Sequence, residues 1–260
     1  MATMNFRLMG RSGLRVSELC IGCGTFGTNW GTLGSDLAES RRILETFAEA
    51  GGNYIDTSNR YQEGQSEQFV GECVASDRDH WVIATKFTLF DGGADNNNPN
   101  LCGNHRTNLL RSVEASLKRL KTDHIDLLWA HIWDNTTPID EMLRGLDDVV
   151  KSGKVCYVGA SNFPAWWLAR ANTMADHWGK TPFIATQVEW PSSSARSSPS
   201  SSRCARSSTS RSSAGARSRA AWSLANTTAA SSRPASTASP TRSTPRRSTS
   251  GTTSRSATSR

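Results

Sequence analysis

The feature that most constrains the fold is a sixfold alternation of short apolar segments with longer amphipathic ones. The short segments are nearly continuous in apolar residues, which is typical of strands buried on both faces of a parallel sheet. The longer segments carry apolar residues at helical spacing and are bounded by acidic residues, proline or glycine. The alternation therefore predicts an α/β chain with a parallel sheet. The predicted strands are 19–23, 54–57, 82–86, 125–131, 155–161 and 184–189, and the predicted helices are 36–50, 66–74, 107–120, 139–151 and 165–178.

Two glycine-containing segments frame the first strand. Residues 5–18 have short apolar runs around Gly10 and Gly13, which predicts a small hairpin. The loop after the strand, G-C-G-T-F-G-T-N-W, has the G-x-G-x-x-G spacing of a dinucleotide-binding loop. No acidic residue follows at the distance that would bind a ribose, so a Rossmann fold is not favoured.

Polar residues that can do acid–base chemistry follow three successive predicted strands. Asp56 and Tyr61 lie in N-Y-I-D-T-S-N-R-Y, Lys86 ends W-V-I-A-T-K, and His131 ends I-D-L-L-W-A-H. Taken singly, these are ordinary residues: a helix cap, a surface lysine or a buried histidine. Together at one edge of a sheet they predict a site in which a cation lowers the pKa of a tyrosine from its usual value of about 10.

Four motifs in this order, D-T-S-x-x-Y, A-T-K, L-L-x-x-H and V-G-A-S-N-F, resemble those of the aldo-keto reductases. The resemblance covers roughly residues 5–190 and is to the branch of aryl-alcohol dehydrogenase-like enzymes and potassium-channel β subunits. It implies a (β/α)₈ TIM barrel with the hairpin plugging its floor. It also implies NADPH-dependent reduction of a small aldehyde or ketone, with Asp56, Tyr61, Lys86 and His131 as the catalytic tetrad.

The same resemblance implies where the cofactor binds. Ser161, Asn162 and Gln187 resemble the residues that hydrogen-bond the nicotinamide carboxamide. The family's residues for the adenosine 2′-phosphate follow strands seven and eight, and none of them can be located in this sequence. The cofactor-binding residues implied are Gly24, Thr25, Phe26, Asp56, Ser161, Asn162 and Gln187, and Trp30, Trp129 and Trp133 are candidates for the substrate mouth.

Residues 191–260 differ sharply in composition from the rest of the chain. Of these 70 residues, 59 are Ser, Thr, Ala or Arg, and the segment carries twelve arginines without a single acid. The remaining 18 basic and 23 acidic residues give 1–190 a net charge of −5. A segment so poor in apolar side chains should be disordered. We therefore expect a barrel in 1–190, with about six of eight units recognisable, followed by a disordered tail in 191–260.

Two explanations of the tail stay open, namely a true Ser/Arg-rich extension and a frameshift in a GC-rich gene. A family-like continuation, S-L-V-E-R-S-V-E-P-E-L, can be written in GC-rich codons so that loss of one base after Trp190 gives P-S-S-S-A-R-S-S-P-S-S, as found. With the same offset, residues 213–227 read back as E-R-R-G-P-L-A-G-G-V-V-A-G-E-H, and P-L-A-G-G resembles the family's seventh-strand motif. We favour the frameshift, which would impair the enzyme by removing strands seven and eight.

Other function classes are less well supported by the sequence. A reductase-like barrel can serve as a binding or regulatory subunit, and twelve arginines can bind nucleic acid. The tail lacks both interleaved aromatics beyond Trp222 and a sustained Ser-Arg repeat, so nucleic-acid binding is disfavoured.

No apolar run of membrane-spanning length and no signal peptide is present, so we expect a cytoplasmic protein. The six cysteines have no paired metal spacing, and no metal site is predicted. The oligomeric state and the natural substrate are not fixed by the sequence.

Overall fold

The computed structural model describes residues 4–93, 96–188 and 222–223. It contains the predicted hairpin, in which β1 (Phe6–Leu8) pairs antiparallel with β2 (Arg15–Ser17). The turn is closed by a hydrogen bond of 2.8 Å from the Met9 amide to the Leu14 carbonyl.

Six strands form a curled parallel sheet in which each strand pairs with the next along the chain. Typical pairs are Ile55 with Ile83 and Leu128 with Val158. The six strands and the helices between them confirm the predicted α/β architecture of an incomplete barrel. The strands are β3 (Ile21–Gly22), β4 (Tyr54–Asp56), β5 (Val82–Phe87), β6 (Ile125–Ala130), β7 (Val155–Ser161) and β8 (Ala185–Gln187).

One further strand, β9 (Trp222–Ser223), runs antiparallel to β8. It lies in 191–260, where the sequence predicts no strand. The strands of a (β/α)₈ barrel run parallel, so β9 is not a seventh barrel unit. In the described part of the chain, β3 and β9 are the two edges of the sheet. The expected disorder of 191–260 concerns residues that, apart from β9, lie outside the described ranges.

Five helices connect the strands in the described ranges, and their ends follow the capping signals of the sequence. The Asp36 side chain accepts the Glu39 amide at 2.8 Å at the start of the first helix, and Pro138 and Pro164 precede the fourth and fifth. The helices are α1 (Leu37–Glu49), α2 (Gln65–Val74), α3 (Arg106–Leu120), α4 (Ile139–Lys151) and α5 (Ala165–Trp178), and four short 3₁₀ helices cover Gly31–Leu33, Tyr61–Gly64, Arg78–His80 and Pro99–Leu101.

Two apolar clusters hold these elements together. The larger one fills the space between the helices and the outer face of the sheet. The smaller one lies inside the curl of the sheet, where Met9 and Val16 of the hairpin pack against strand residues. Several of these strand residues stand at the first position of a strand or just before it, which is the floor end of the barrel. The hairpin therefore covers the floor, as the resemblance implies. Its strand-side members are Tyr54, Val82, Ala84, Leu127, Trp129, Ile184 and Ala185.

Candidate active site

The carboxyl ends of three adjacent strands bring together the polar residues singled out in the sequence. Asp56 is the last residue of β4, Lys86 is the penultimate residue of β5, and His131 follows β6 directly. The strands are parallel neighbours, so these ends meet at one edge of the sheet. The interior cluster and the hairpin cover the opposite end.

The Lys86 ammonium is the centre of this cluster. It donates to Asp56 Oδ2 at 2.5 Å, to the Thr57 carbonyl at 3.0 Å and to Tyr61 Oη at 3.1 Å. Only 1% of the Lys86 side chain and 5% of the Asp56 side chain is exposed. A buried ammonium is stable only when its charge and its donors are matched, and here a carboxylate and two further oxygens match them.

Tyr61 reaches Lys86 from a turn with unusual backbone geometry. The next two residues, Gln62 and Glu63, have positive φ angles of 51° and 57°. Such angles are uncommon outside glycine and persist where neighbouring contacts enforce them. Gln62 is fully buried, its side chain accepts the Trp30 amide at 2.7 Å, and its carbonyl accepts the Asn29 side chain at 2.9 Å. These bonds tie the Tyr61 turn to the loop after β3.

The electrostatics keep the Lys86–Asp56 pair ionised at neutral pH. Burial raises the pKa of Asp56 to about 6, against the opposing effects of the Lys86 charge and of the Gln187 side chain. Burial alone would lower the pKa of Lys86, but the Asp56 charge and Tyr61 raise it above its usual value. Both groups are therefore charged above pH 6 or so.

Tyr61 and His131 are both neutral in this environment. Burial raises the pKa of Tyr61 and outweighs the Lys86 charge, which acts in the opposite direction. The lowered tyrosine pKa expected from the sequence is therefore wrong, and the phenol keeps its proton. Burial, followed by the Lys86 charge, lowers the pKa of His131 from 6.5 to about 3. The two rings meet edge to face with centroids 6.0 Å apart. The site thus offers one protonated hydroxyl and one neutral imidazole side by side.

Ser58 was not singled out in the sequence, and it contacts His131. Its hydroxyl lies 3.3 Å from His131 Nδ1, and the His131 amide donates to the Phe87 carbonyl and to Thr88 Oγ1. Ser58 is fully buried although it belongs to the polar run D-T-S-N. The run D-T-S-N could have identified Ser58, because a buried hydroxyl next to a strand-end acid needs a hydrogen-bond partner.

The residues implied in nicotinamide binding lie together at the ends of β7 and β8. Ser161 pairs with Gln187 across the two strands, and the Asn162 amide donates to the Gln187 carbonyl at 3.0 Å. The exposed Asn162 has a positive φ of 56°, and its side-chain amide donates to Ser161 Oγ at 3.2 Å. Gln187 also lowers the pKa of Asp56. Hydroxyl and amide groups of this kind fit the donors and acceptors of a carboxamide.

The loop after β3 exposes some of its predicted cofactor-binding residues and buries another. Gly24 and Thr25 are accessible beside the Tyr61 turn, and the Gly24 carbonyl accepts the Gln62 side chain. Phe26 is 2% exposed and its side chain belongs to the cluster beneath the helices. Its ring is therefore unavailable to a ligand, and only its backbone could contact one.

The three candidate mouth tryptophans have different surroundings. Trp30 is 41% exposed and its ring lies edge-on to Tyr61, with centroids 6.4 Å apart. Trp129 is 1% exposed inside the curl of the sheet, so its assignment to the mouth is wrong. A barrel interior needs large side chains to fill it, which accounts for Trp129. Trp133 packs partly against the core and edge-on to Trp166.

Comparison with known proteins shows the family of this chain. The sequence model of the Aldo/keto reductase family matches residues 18–201. The chain belongs to the aldo-keto reductase family. Norsolorinic acid reductase of Aspergillus flavus is 45% identical over 189 residues, which are 70% of this chain and 49% of that protein. A putative aryl-alcohol dehydrogenase of Saccharomyces cerevisiae is 44% identical over 187 residues, 69% and 50% of the two chains.

Another member of the family carries the name of its cofactor. Aryl-alcohol dehydrogenase [NADP(+)] of Phanerodontia chrysosporium is 39% identical over 188 residues, 68% of this chain and 49% of that protein. The chain spans about half the length of the curated relatives it matches. Within the described ranges, no helix has both the length and the apolar character needed to cross a membrane.

Proposed function

We propose that the barrel of this chain reduces aldehydes or ketones to alcohols with NADPH. The observation that carries the proposal is the buried contact of one ammonium, on Lys86, with both the Asp56 carboxylate and the Tyr61 hydroxyl. Carbonyl reduction needs a hydride on carbon and a proton on oxygen. Bound NADPH supplies the hydride, so the protein must supply the proton.

Tyr61 is the proposed proton donor. Its raised pKa keeps the hydroxyl protonated before the reaction. The Lys86 ammonium, 3.1 Å from the hydroxyl oxygen, stabilises the tyrosinate that remains after the proton has left. Asp56 holds the ammonium in place and keeps it charged.

His131 is proposed to orient the substrate oxygen. A histidine that is neutral across the physiological range carries one N–H donor and one acceptor nitrogen. If the Ser58 hydroxyl donates to Nδ1, the proton of the imidazole is on Nε2 and can be donated to a carbonyl oxygen. Ser58 thereby selects the tautomer that binds substrate.

Cofactor binding is proposed at the ends of β7 and β8 and on the loop after β3. Ser161, Asn162 and Gln187 would hold the carboxamide, and so fix which face of the nicotinamide meets the substrate. Gly24 and Thr25, with the backbone of Phe26, would contact the cofactor beside Asp56. NADPH rather than NADH is supported by the name of the Phanerodontia relative.

Aromatic aldehydes are the proposed substrate class. The family membership and the two relatives named aryl-alcohol dehydrogenase support it. Trp30, exposed and edge-on to Tyr61, offers an aromatic surface for stacking at the mouth.

We further propose that the change in composition after 190 is a frameshift and that it impairs the enzyme. Residues that bind the 2′-phosphate form charge-assisted hydrogen bonds, each worth about 1.5–3 kcal/mol. Losing two or three of these bonds would weaken NADPH binding by several powers of ten, at about 1.4 kcal/mol for each tenfold.

The protein is proposed to act in the cytoplasm, where the free thiols of the five described cysteines would stay reduced.

The alternative is that the barrel binds a partner without turnover. The intact Asp56–Lys86–Tyr61 cluster favours an enzyme, because a binding barrel has no need of a buried ammonium. The third possibility, nucleic-acid binding by the tail, concerns residues outside the described ranges apart from β9.

The experiment is turnover by a chain from the same gene with one base inserted after codon 190. It is incubated with NADPH or NADH and an aromatic aldehyde, and cofactor oxidation is followed. We expect turnover with NADPH, and an NADPH affinity at least about a hundredfold above that of the 260-residue chain. NADPH binding without reduction of any aldehyde would favour the binding barrel. If the gene sequence shows no lost base, the frameshift proposal fails.

A further inference from the structure

Three side chains with metal-binding atoms converge at the opposite end of the sheet from the candidate active site. One ligand atom each of His124, Asp126 and Cys156 lies within 4.8 Å of the others. Asp126 and Cys156 occupy neighbouring positions of β6 and β7, because Ile125 pairs with Val155 and Leu127 with Tyr157. His124 precedes β6 directly. The wide separation of Cys156 from the other two in sequence hides the cluster from a motif search.

Two of these side chains are already held in an orientation that suits a metal. Asp126 binds Arg78 at 2.6 Å and the Ile83 amide at 2.9 Å, both through Oδ2. Its other oxygen, Oδ1, faces His124 Nε2 at 3.9 Å. One carboxylate oxygen therefore anchors the side chain to β5 while the other remains available as a ligand.

The histidine has the second contact that metal-binding histidines usually make. His124 Nδ1 lies 2.6 Å from Asp123 Oδ1. A carboxylate at Nδ1 fixes the tautomer with its proton on that nitrogen, which leaves the lone pair of Nε2 for a metal. This carboxylate–histidine pair is an observation independent of the convergence of the three side chains. It too indicates a bound metal ion.

We propose that His124, Asp126 and Cys156 bind a zinc-class divalent metal ion on the floor of the barrel. Imidazole, carboxylate and thiolate are the usual zinc ligands, at about 2.0–2.3 Å, which places ligand atoms of a tetrahedral site about 3.3–3.7 Å apart. Closing from 4.8 Å requires a shift of about 1 Å, which side-chain rotation can supply since all three residues are partly exposed. Water would complete the fourth position. The ion would link β6 to β7 away from the candidate active site.

The test is a titration of the purified 260-residue chain with Co²⁺, followed by competition with Zn²⁺ against a chromophoric chelator. We expect one ion per chain and the absorption of a cobalt–thiolate bond. Cys156→Ser should remove this absorption, and His124→Gln should weaken zinc binding at least tenfold. Asp123→Asn, which removes only the outer carboxylate, should weaken it by about 10–100-fold. The matched control is Cys102→Ser, in a loop remote from the site, which should bind like the parent.

Several results would overturn the proposal. They are cobalt binding without thiolate absorption, thiolate absorption that survives in Cys156→Ser, and absence of binding by the folded parent. Loss of binding in Cys102→Ser equal to that in Cys156→Ser would also overturn it. Asp126 is not used as a variant, because its bonds to Arg78 and Ile83 contribute to the fold. Melting temperatures of the metal-free variants, expected to match that of the parent, exclude unfolding as the cause of lost binding.

Discussion

At the scale of single residues, His131 shows how burial sets a protonation state. Folding lowers its pKa from 6.5 to about 3, chiefly by burial and then by the Lys86 charge. A neutral imidazole keeps one N–H donor through the physiological range. We therefore expect the pH dependence of the reduction rate to show no step near pH 6.5 from titration of this histidine.

The same pKa difference predicts an acid dependence of stability. Below pH 6.5 the unfolded state binds this proton while the folded state does not, so stability is full above pH 6.5 and falls as the pH drops towards 3. At pH 5 or so the loss is about 2 kcal/mol, from about 1.4 kcal/mol per pH unit. Urea unfolding at neutral pH and near pH 5 measures it.

The comparison needs a variant, because Asp56 acts in the opposite direction: its raised pKa stabilises the fold on the acid side of about 6. His131→Gln should lose less stability on acidification than the parent, by about 2 kcal/mol. The exposed His177, replaced by Gln, is the control and should behave like the parent. Equal acid sensitivity of the parent and His131→Gln would contradict the low pKa.

Individual site residues were predictable where a motif carried them. Asp56, Lys86 and His131 stand at the carboxyl ends of apolar strands, and parallel strands must bring these ends together. Gln62 was not predictable, because nothing in Y-Q-E-G signals a buried glutamine with a positive φ. Trp129 was misassigned because a tryptophan near a strand end can point either into the barrel or toward its mouth.

At the scale of elements, the hairpin at the barrel floor depends on one glycine. Gly10 has a φ of 52°, and a Cβ built there would lie 1.8 Å from the Ile184 carbonyl oxygen. The neighbouring Arg11 amide donates to the same carbonyl at 3.3 Å. The close approach of hairpin and β8 therefore leaves no space for a side chain.

Gly10→Ala should lower the free energy of unfolding by about 1–3 kcal/mol, because it combines overpacking with a left-handed backbone. Gly13 in the same hairpin has no neighbour within 4 Å of a built Cβ and no positive φ. Gly13→Ala is thus the matched control and should change stability by less than about 0.5 kcal/mol. Urea unfolding of both variants checks the prediction; an equal loss in the two would show that the floor contact is unimportant.

Element boundaries agreed with the sequence where caps and periodicity coincided. The predicted helices 139–151 and 165–178 are found as α4 (Ile139–Lys151) and α5 (Ala165–Trp178), each preceded by proline. The strands at the ends of the series are shorter than predicted. Apolar runs define which residues are buried, but strand pairing decides which of them form a strand. Among the described residues, β3 pairs with a single neighbour.

At the scale of the whole molecule, the chain joins an aldo-keto reductase barrel to a segment of different composition. The described sheet carries six parallel strands in chain order and the candidate tetrad at their carboxyl ends. The charge of −5 in 1–190 against +12 in 191–260 marks the same division. Local pattern predicted the six units. It could not predict β9, because two residues in a polar segment carry no periodicity.

We infer that Tyr61 transfers a proton to the carbonyl oxygen of the substrate, and turnover of the Tyr61→Phe variant is the direct test. In the chain with one base restored after codon 190, Tyr61→Phe should lose at least about a hundredfold in kcat with an aromatic aldehyde, because general acid catalysis contributes about 10²–10⁴. NADPH affinity should stay within about twofold, and Tyr157→Phe, outside the site, should retain parental kcat. A Tyr61→Phe variant with near-parental kcat would contradict proton transfer from Tyr61.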